Sequence, residues 1–490
     1  MKPAFFKKIS NSFTGNILKL VTGTALAQAL GILFMPIVTR LFAPEAMGIV
    51  SIFSSMTGIA GVIVCLRYEL AIMLPQSNDE AVNILGVSLL SVIIMTALSA
   101  LFVWLGSEKI IDLLHAPKLK DYLWLVPVAI LFRGLFLALN YWNSRTKNFG
   151  RLSLAQIISS FTAQAAKLAA GFAGFVSGGV LIVTSLLGII VATAMLGSQI
   201  WRDDKKLFLD HIRWKPIGKG YVRFRKFPLI DTWGALMNSI SWQLPALMLS
   251  SFFSTAIVGY YALGLAVAQR PLSIITGALS QVFYQKACDV KNTNGNNNEL
   301  VEKLMDALIF IGILPTMMLA MVGEEAFAVI FGGRWLEAGR YAQILSPWIF
   351  FWFISSPLAM LFSVYERQGS ALSVHSIILV TRIISLYIGG IYQNVYLALG
   401  LFSATGIIAY GFVAAWNIRL SHANGQKIIF SFFKYALYCL PVCLSLYVVK
   451  YIFQSGPVII LSSAFTMGIM YVFIFRDKYY SIIKASGMSK

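Results

Sequence analysis

Over 490 residues the chain is 58% hydrophobic and only 12% charged, against about 25% charged in soluble domains, which excludes a soluble globular protein and leaves a polytopic membrane protein. Its formal net charge of +19 is explained by orientation in a bilayer, so no nucleic-acid partner is inferred. Cys65, Cys288, Cys439 and Cys443 form no C-x-x-C pair and read as packing residues.

The first element resembles a signal peptide, with basic residues ahead of an apolar run and Ala25-Leu26-Ala27 at a cleavage-like position. The run continues to Val38, which predicts a retained first span over 17–39. Further apolar segments of about 20 residues are predicted at 48–74, 82–106, 123–142, 153–176, 179–201, 229–252, 255–284, 305–322, 341–365, 371–392, 395–418, 436–453 and 456–475. The expected fold is therefore all-α with about fourteen transmembrane helices. With both termini in the cytoplasm and strict alternation, roughly 26 Lys and Arg fall in inside connections and about 7 outside, as the positive-inside rule requires.

The longest inside connection, residues 202–228, is basic and separates spans six and seven. At an offset of about 211 residues the chain matches itself weakly, pairing Gly23 with Gly234, Phe42 with Phe253 and Gly48 with Gly259. Six spans before and six after that connection predict two pseudo-symmetric six-helix lobes related by an axis along the membrane normal. The expected organisation is an N-lobe over 1–201, the basic loop 202–228, a C-lobe over 229–420 and a final helix pair with a cytoplasmic tail over 421–490.

The turn TRLFAPEAMGIVSIF after the first span, LRYELAIMLP at the end of the second, FFSTAIVGYYALG opening the second half and the fourteen-span count resemble the Wzx-type flippases of O-antigen and capsule repeat units, in the MOP exporter superfamily. The resemblance covers residues 10–420. It implies two lobes around a central cavity, a bacterial inner-membrane location and a substrate built from a short oligosaccharide on a polyprenyl (undecaprenyl) pyrophosphate. It also implies partners: the lipid-linked oligosaccharide, membrane lipids, and the polymerase and chain-length machinery of polysaccharide and lipopolysaccharide biosynthesis.

Independently of that resemblance, several bases fall within predicted spans. Arg133, Lys167, Arg270 and Arg382 lie near span centres, where each costs about 2.5–3.5 kcal/mol, roughly 10–14 kcal/mol for the four. The acids within spans are Glu69, Asp231 and Asp306, too few to neutralise them, so a residual positive cavity is expected. Arginine's planar fork suits a pyrophosphate, and Arg67, Arg133, Lys167, Arg270 and Arg382 are the candidate headgroup contacts. Asp231, with Asn238 two turns along the same face, and Glu69 are candidates for coupling to sodium or protons, or for gating. Pro271 beside Arg270 predicts a bend in span eight. Gln28, Gln243, Gln269 and Gln281 are polar candidates for sugar hydroxyls.

Arg67 and Glu69 interrupt the second span. Two residues apart, they do not face each other on a helix, so no ion pair between them is expected. On a continuous helix ending at Pro75, Arg67 sits roughly 12 Å from the cytoplasmic end, at the inner mouth of the cavity. Neither a Walker A sequence nor H-E-x-x-H is present, and neither a cofactor nor a metal site is expected. An ion-coupled flippase is the expected function and an enzyme is not. The alternatives are a drug or small-cation antiporter of the same superfamily, which should carry acids in its cavity, and a membrane-embedded glycan polymerase or ligase, which should cluster catalytic groups on an outside loop.

Overall fold

The computed structural model describes residues 13–292, 295–478 and 480. The terminal segments that the charge bias expects in the cytoplasm, 1–12 and 481–490, lie outside the described residues. Every described segment of regular structure is helical. In chain order the helices are α1 (Phe13–Leu41), α2 (Pro44–Ile63), α3 (Asn78–Leu114), α4 (Leu125–Arg145), α5 (Phe149–Phe172), α6 (Gly178–His211), the short α7 (Trp214–Arg223), α8 (Thr232–Phe252), α9 (Thr255–Asn292), α10 (Asn298–Phe331), α11 (Leu336–Ser355), α12 (Gln368–Ile391), α13 (Val395–Leu420), α14 (Gly425–Tyr447) and α15 (Pro457–Ile474). Each of the fourteen expected spans falls on one of the long helices. Twelve of these are long and apolar enough to cross a membrane; α5 and α8 do not reach that hydropathy.

The ends follow local chemistry. Ser77 accepts from the Glu80 N–H at 3.3 Å to open α3, a side-chain N-cap, and Asn424 accepts from the Gln426 and Lys427 N–H groups to open α14. Pro44 stands at the first turn of α2, where its missing N–H costs nothing. Helix α9 continues as helix through Pro271; the departure from helical dihedrals falls instead at Val322 in α10 (φ −119°, ψ 16°). Large apolar side chains such as Leu33, Phe102, Leu105, Phe465 and Phe473 are 65–70% exposed, as lipid-facing positions are in a chain without its bilayer.

The chain divides into two compact units, Met1–Gly259 and Tyr260–Lys490. The division falls one helix later than the 202–228 connection, because α8 packs on α2: the Ser55 hydroxyl donates to Gln243 Oε1 at 3.2 Å and the Ser239 hydroxyl to the Gly58 carbonyl at 3.2 Å. Helix α5 is joined to α1 in the same way, through Thr24 to Gln156 (2.5 Å) and Ser160 to the Ala27 carbonyl (2.8 Å), with Gly23 seated directly on Ser153. Between lipid-embedded helices close packing and polar contacts replace a hydrophobic driving force. In α5 and α8, the two long helices that fall short of membrane-spanning hydropathy, several polar side chains are thus engaged by neighbouring helices.

Of the three repeat matches, one has a geometric meaning. A Cβ on Gly48 would lie 1.7 Å from the Thr255 carbonyl oxygen, and one on Gly259 would lie 2.0 Å from the Pro44 carbonyl oxygen. Pro44 and Thr255 stand at the same offset of about 211 residues as the two glycines, so the crossing of α2 and the start of α9 is reciprocal, each glycine resting on the other's equivalent carbonyl. Gly23 and Gly234 do not match in environment, since Gly234 faces open space.

In the second unit, Gly339 of α11 rests on the Gly323 carbonyl of α10 and Gly389 of α12 on Ala398 of α13. The final pair is stapled to α10. Asp306 accepts from Ser431 (2.9 Å), Tyr435 (2.7 Å) and Lys478 (2.5 Å), Glu302 pairs with Lys427 at 3.2 Å, and Glu325 pairs with Lys450 at 2.8 Å with both side chains less than 15% exposed. Asp306 is therefore a fastening residue.

Candidate functional site

The second predicted span does not run to Pro75. Its helix ends at Ile63, and Leu66 (φ 49°) and Arg67 (φ 63°) adopt left-handed backbone before a single helical turn, Tyr68–Ala71. Such a conformation costs a non-glycine residue about 1–2 kcal/mol, so two in succession need support. Arg145 at the end of α4 supplies it downstream, donating to the carbonyls of Ile72 (2.9 Å) and Ser77 (3.0 Å) and to Asn78 Oδ1 (3.1 Å). On the other side the Tyr68 hydroxyl donates to the Tyr221 carbonyl of α7 at 2.9 Å.

The break changes what Arg67 meets. Helical geometry would keep Arg67 and Glu69 apart; with the helix broken, Arg67 Nη1 lies 3.5 Å from Glu69 Oε1 while its Nε donates to Asp231 Oδ2 at 2.7 Å. The expectation of no Arg67–Glu69 pair, and the depth counted along a continuous helix, are both corrected by this one turn. A headgroup candidate and two coupling candidates thus form one cluster, with two carboxylates around one guanidinium. Asp231 is half-exposed, whereas Glu69 is wholly buried. Neither carboxylate oxygen of Glu69 accepts a hydrogen bond among the described residues.

The remaining candidates separate into two kinds. Arg133, in α4, is exposed and makes no hydrogen bond or ion pair among the described residues, its side chain lying across Gly61 of α2 within 2.6 Å of where a Cβ would stand. Arg270, in α9 of the second unit, is likewise exposed and its side chain is without such a partner among the described residues, while its carbonyl accepts from the Ser273 hydroxyl. Arg382 is only 3% exposed. Its guanidinium stands over the rings of Trp348 (5.5 Å) and Phe402 (5.3 Å), with the Tyr410 hydroxyl 3.4 Å from Nη2. An aromatic cage of this kind satisfies a buried arginine inside its own unit. Lys167 is half-buried on α5 and Asn238 exposed on α8. Gln243 is engaged with Ser55, whereas the buried Gln28 Oε1 has no partner among the described residues.

Arg145 and Tyr141 carry no signature in the sequence. Arg145 holds the Ile72–Asn78 segment in place, yet nothing in its local sequence distinguishes it from Lys147 or Arg151. Tyr141, one turn before it on α4, lies within electrostatic range of Glu69, Arg67 and Asp231. Among the described residues no group of three or more His, Cys, Asp or Glu side chains gathers to hold a metal ion.

Residues 37–340, more than half of the chain, match the family model described as polysaccharide biosynthesis protein. The chain belongs to that family. Among curated proteins no sequence matches. Solved structures match across nearly the whole length: a lipid II flippase MurJ in an inward closed conformation superposes with a TM-score of 0.74 at 15% identity, covering 94% of this chain and 99% of that one. An inward-facing multidrug resistance MATE family transporter of the MOP superfamily gives 0.53 at 13% identity, covering 82% and 93%, and an outward-facing one gives 0.53 at 12%, covering 85% and 96%. This polysaccharide biosynthesis family member thus has the fold of MOP-superfamily transporters. The family match spans Arg67, Glu69, Arg133, Lys167, Asp231, Asn238 and Arg270 and ends before Arg382.

Proposed function

We propose that the protein is a flippase that carries polyprenyl-pyrophosphate-linked oligosaccharide repeat units, of the O-antigen or capsule kind, across the bacterial inner membrane by alternating access. The observation that carries this reading is the residue of positive charge within the spans. Arg67 is engaged by Glu69 and Asp231, Lys478 engages Asp306 and Arg382 has its cage. Arg133 and Arg270 keep accessible guanidinium groups with no carboxylate among the described residues. A cation in a low-dielectric setting without a counter-ion is costly, and a pyrophosphate supplies that counter-ion with acceptor oxygens in a bidentate arrangement. The family match and the fold shared with a structure titled lipid II flippase support a lipid-linked saccharide as cargo.

In this reading the pyrophosphate-binding path opens alternately to the two faces of the membrane while the polyprenyl chain stays in lipid, and the 202–228 loop lies in the cytoplasm with both termini. Polymerase and chain-length proteins receive the product. A drug or small-cation antiporter would keep free acids for its cargo, and here Glu69 and Asp231 are both paired with Arg67 and Asp306 with Lys478. Coupling runs through the Arg67–Glu69–Asp231 cluster: protonation of Glu69, or a sodium ion at the two carboxylates, changes the charge that faces Arg67. Translocation of a fluorescent lipid-linked oligosaccharide in proteoliposomes, under imposed proton and sodium gradients, tests this directly. One gradient should accelerate wild type, and Glu69→Gln or Asp231→Asn should remove that acceleration. Transport indifferent to both gradients would end the coupling proposal, and no transport of the glycolipid would end the flippase reading.

A further inference from the structure

A cleft in the second unit belongs to none of the groups above. It encloses about 690 Å³, within the range of roughly 300–1,000 Å³ typical of small-ligand sites. It arises because α13 and α14, consecutive in the chain, touch little along their lengths: α14 packs along α10, held by Tyr435 and Asp306, while α13 packs on α11 and α12. The floor is made by Gly411, Ala414 and Ala415 of α13 and the walls by Phe351 of α11 and Phe432 of α14. Small residues on one helix facing aromatic rings on two others leave a trench that no side chain of this unit fills.

One end of the trench is charged. Arg419, in the last turn of α13, stands there beside the first turn of α14, and lines a neighbouring depression of about 520 Å³ together with Trp416. Arg419 is exposed and makes no ion pair among the described residues. Lys427, the nearest base on α14, is by contrast paired with Glu302. Tryptophan and arginine one turn apart at a helix end mark headgroup depth in a bilayer, so the trench extends from that depth toward the hydrocarbon. An apolar trench without a cation would suit any hydrocarbon, and an exposed arginine without a trench would suit any soluble anion. The combination suits a molecule with both parts.

We propose that this cleft is a binding site for an anionic phospholipid, with one acyl chain lying between α13 and α14 and the phosphate held by Arg419. The ligand is a bilayer lipid and the site lies within one unit, so the proposal is independent of the transport reading. Phospholipid here acts as a wedge that completes the packing α13 and α14 leave open, and it stabilises the folded protein by mass action.

The experiment uses the full chain in phosphatidylcholine nanodiscs doped with phosphatidylglycerol carrying brominated acyl chains. The readout is the part of the tryptophan quenching that Trp416→Phe removes. Brominated phosphatidylglycerol should quench this component at a lower mole fraction than brominated phosphatidylcholine. Arg419→Glu should raise the half-quenching fraction at least about five-fold, the effect of one basic residue at an anionic surface, while Arg419→Lys should retain most of the preference. Ala415→Phe, which fills the floor, should abolish quenching by both lipids. If Arg419→Glu does not fold, Arg419→Gln carries the same expectation in the same direction. Equal quenching by the two lipids in wild type, an unchanged midpoint in the Arg419 variants, or quenching confined to a brominated polyprenyl phosphate would each overturn the proposal.

Discussion

Arg133→Ala and Arg270→Ala should each reduce export of lipid-linked glycan by about 10- to 150-fold, the cost of one lost charge-assisted contact of about 1.5–3 kcal/mol. The double variant should be inactive in the proteoliposome assay. Among the bases within spans these two keep exposed guanidinium groups without a carboxylate among the described residues. Their lysine variants should recover part of the activity, because a point charge replaces the charge but not the bidentate fork. Arg382→Ala should behave differently, failing through stability, since its guanidinium supports Trp348 and Phe402 from within the second unit. Measuring folded yield beside transport separates the two cases. Full transport by the Arg133 and Arg270 alanine variants would remove the basis for a cationic path.

The other large effect is expected at the crossing of α2 and the start of α9. Gly48→Leu and Gly259→Leu should not yield a folded, monodisperse protein, because even the Cβ of the new side chain would stand 1.7–2.0 Å from a backbone carbonyl oxygen. Backbone cannot swing aside as a side chain can, so the helices must separate, a cost in the exceptional class above about 4 kcal/mol. Gly150→Ala on α5 is the control: nothing lies within 4 Å of its Cβ position, and the substitution should be neutral or slightly stabilising. Size-exclusion profiles and thermal midpoints in detergent distinguish the outcomes. A well-folded Gly48→Leu protein would show that the reciprocal contact is looser than its geometry.

Much of the fold was legible before any coordinates. Long apolar runs spaced along the chain admit only helices, since a bilayer offers no water to satisfy a free backbone. The predicted segments 153–176 and 229–252 coincide with helices, α5 and α8, that fall short of membrane-spanning apolarity, and their polar residues find partners on α1 and α2. The repeat signal was partly informative: its Gly48 and Gly259 match points to a real contact, while Gly23 and Gly234 share only a letter. The site was less legible. That bases outnumber acids within spans follows from composition, but which bases remain uncompensated does not.

By itself the sequence determined the class of molecule, its helices and the excess of cations in oil, because hydropathy and charge are sums over residues and need no geometry. Only the tertiary structure decided how that excess is distributed. Two left-handed residues, Leu66 and Arg67, break the second span and turn Arg67 onto Glu69 and Asp231, the latter 164 positions away in the chain. A helical rule applied to "RYE" forbids that contact, since it assumes the dihedral angles that long-range contacts from Arg145 and α7 override. Pairing is a property of distance in space, which chain periodicity predicts only while the helix lasts.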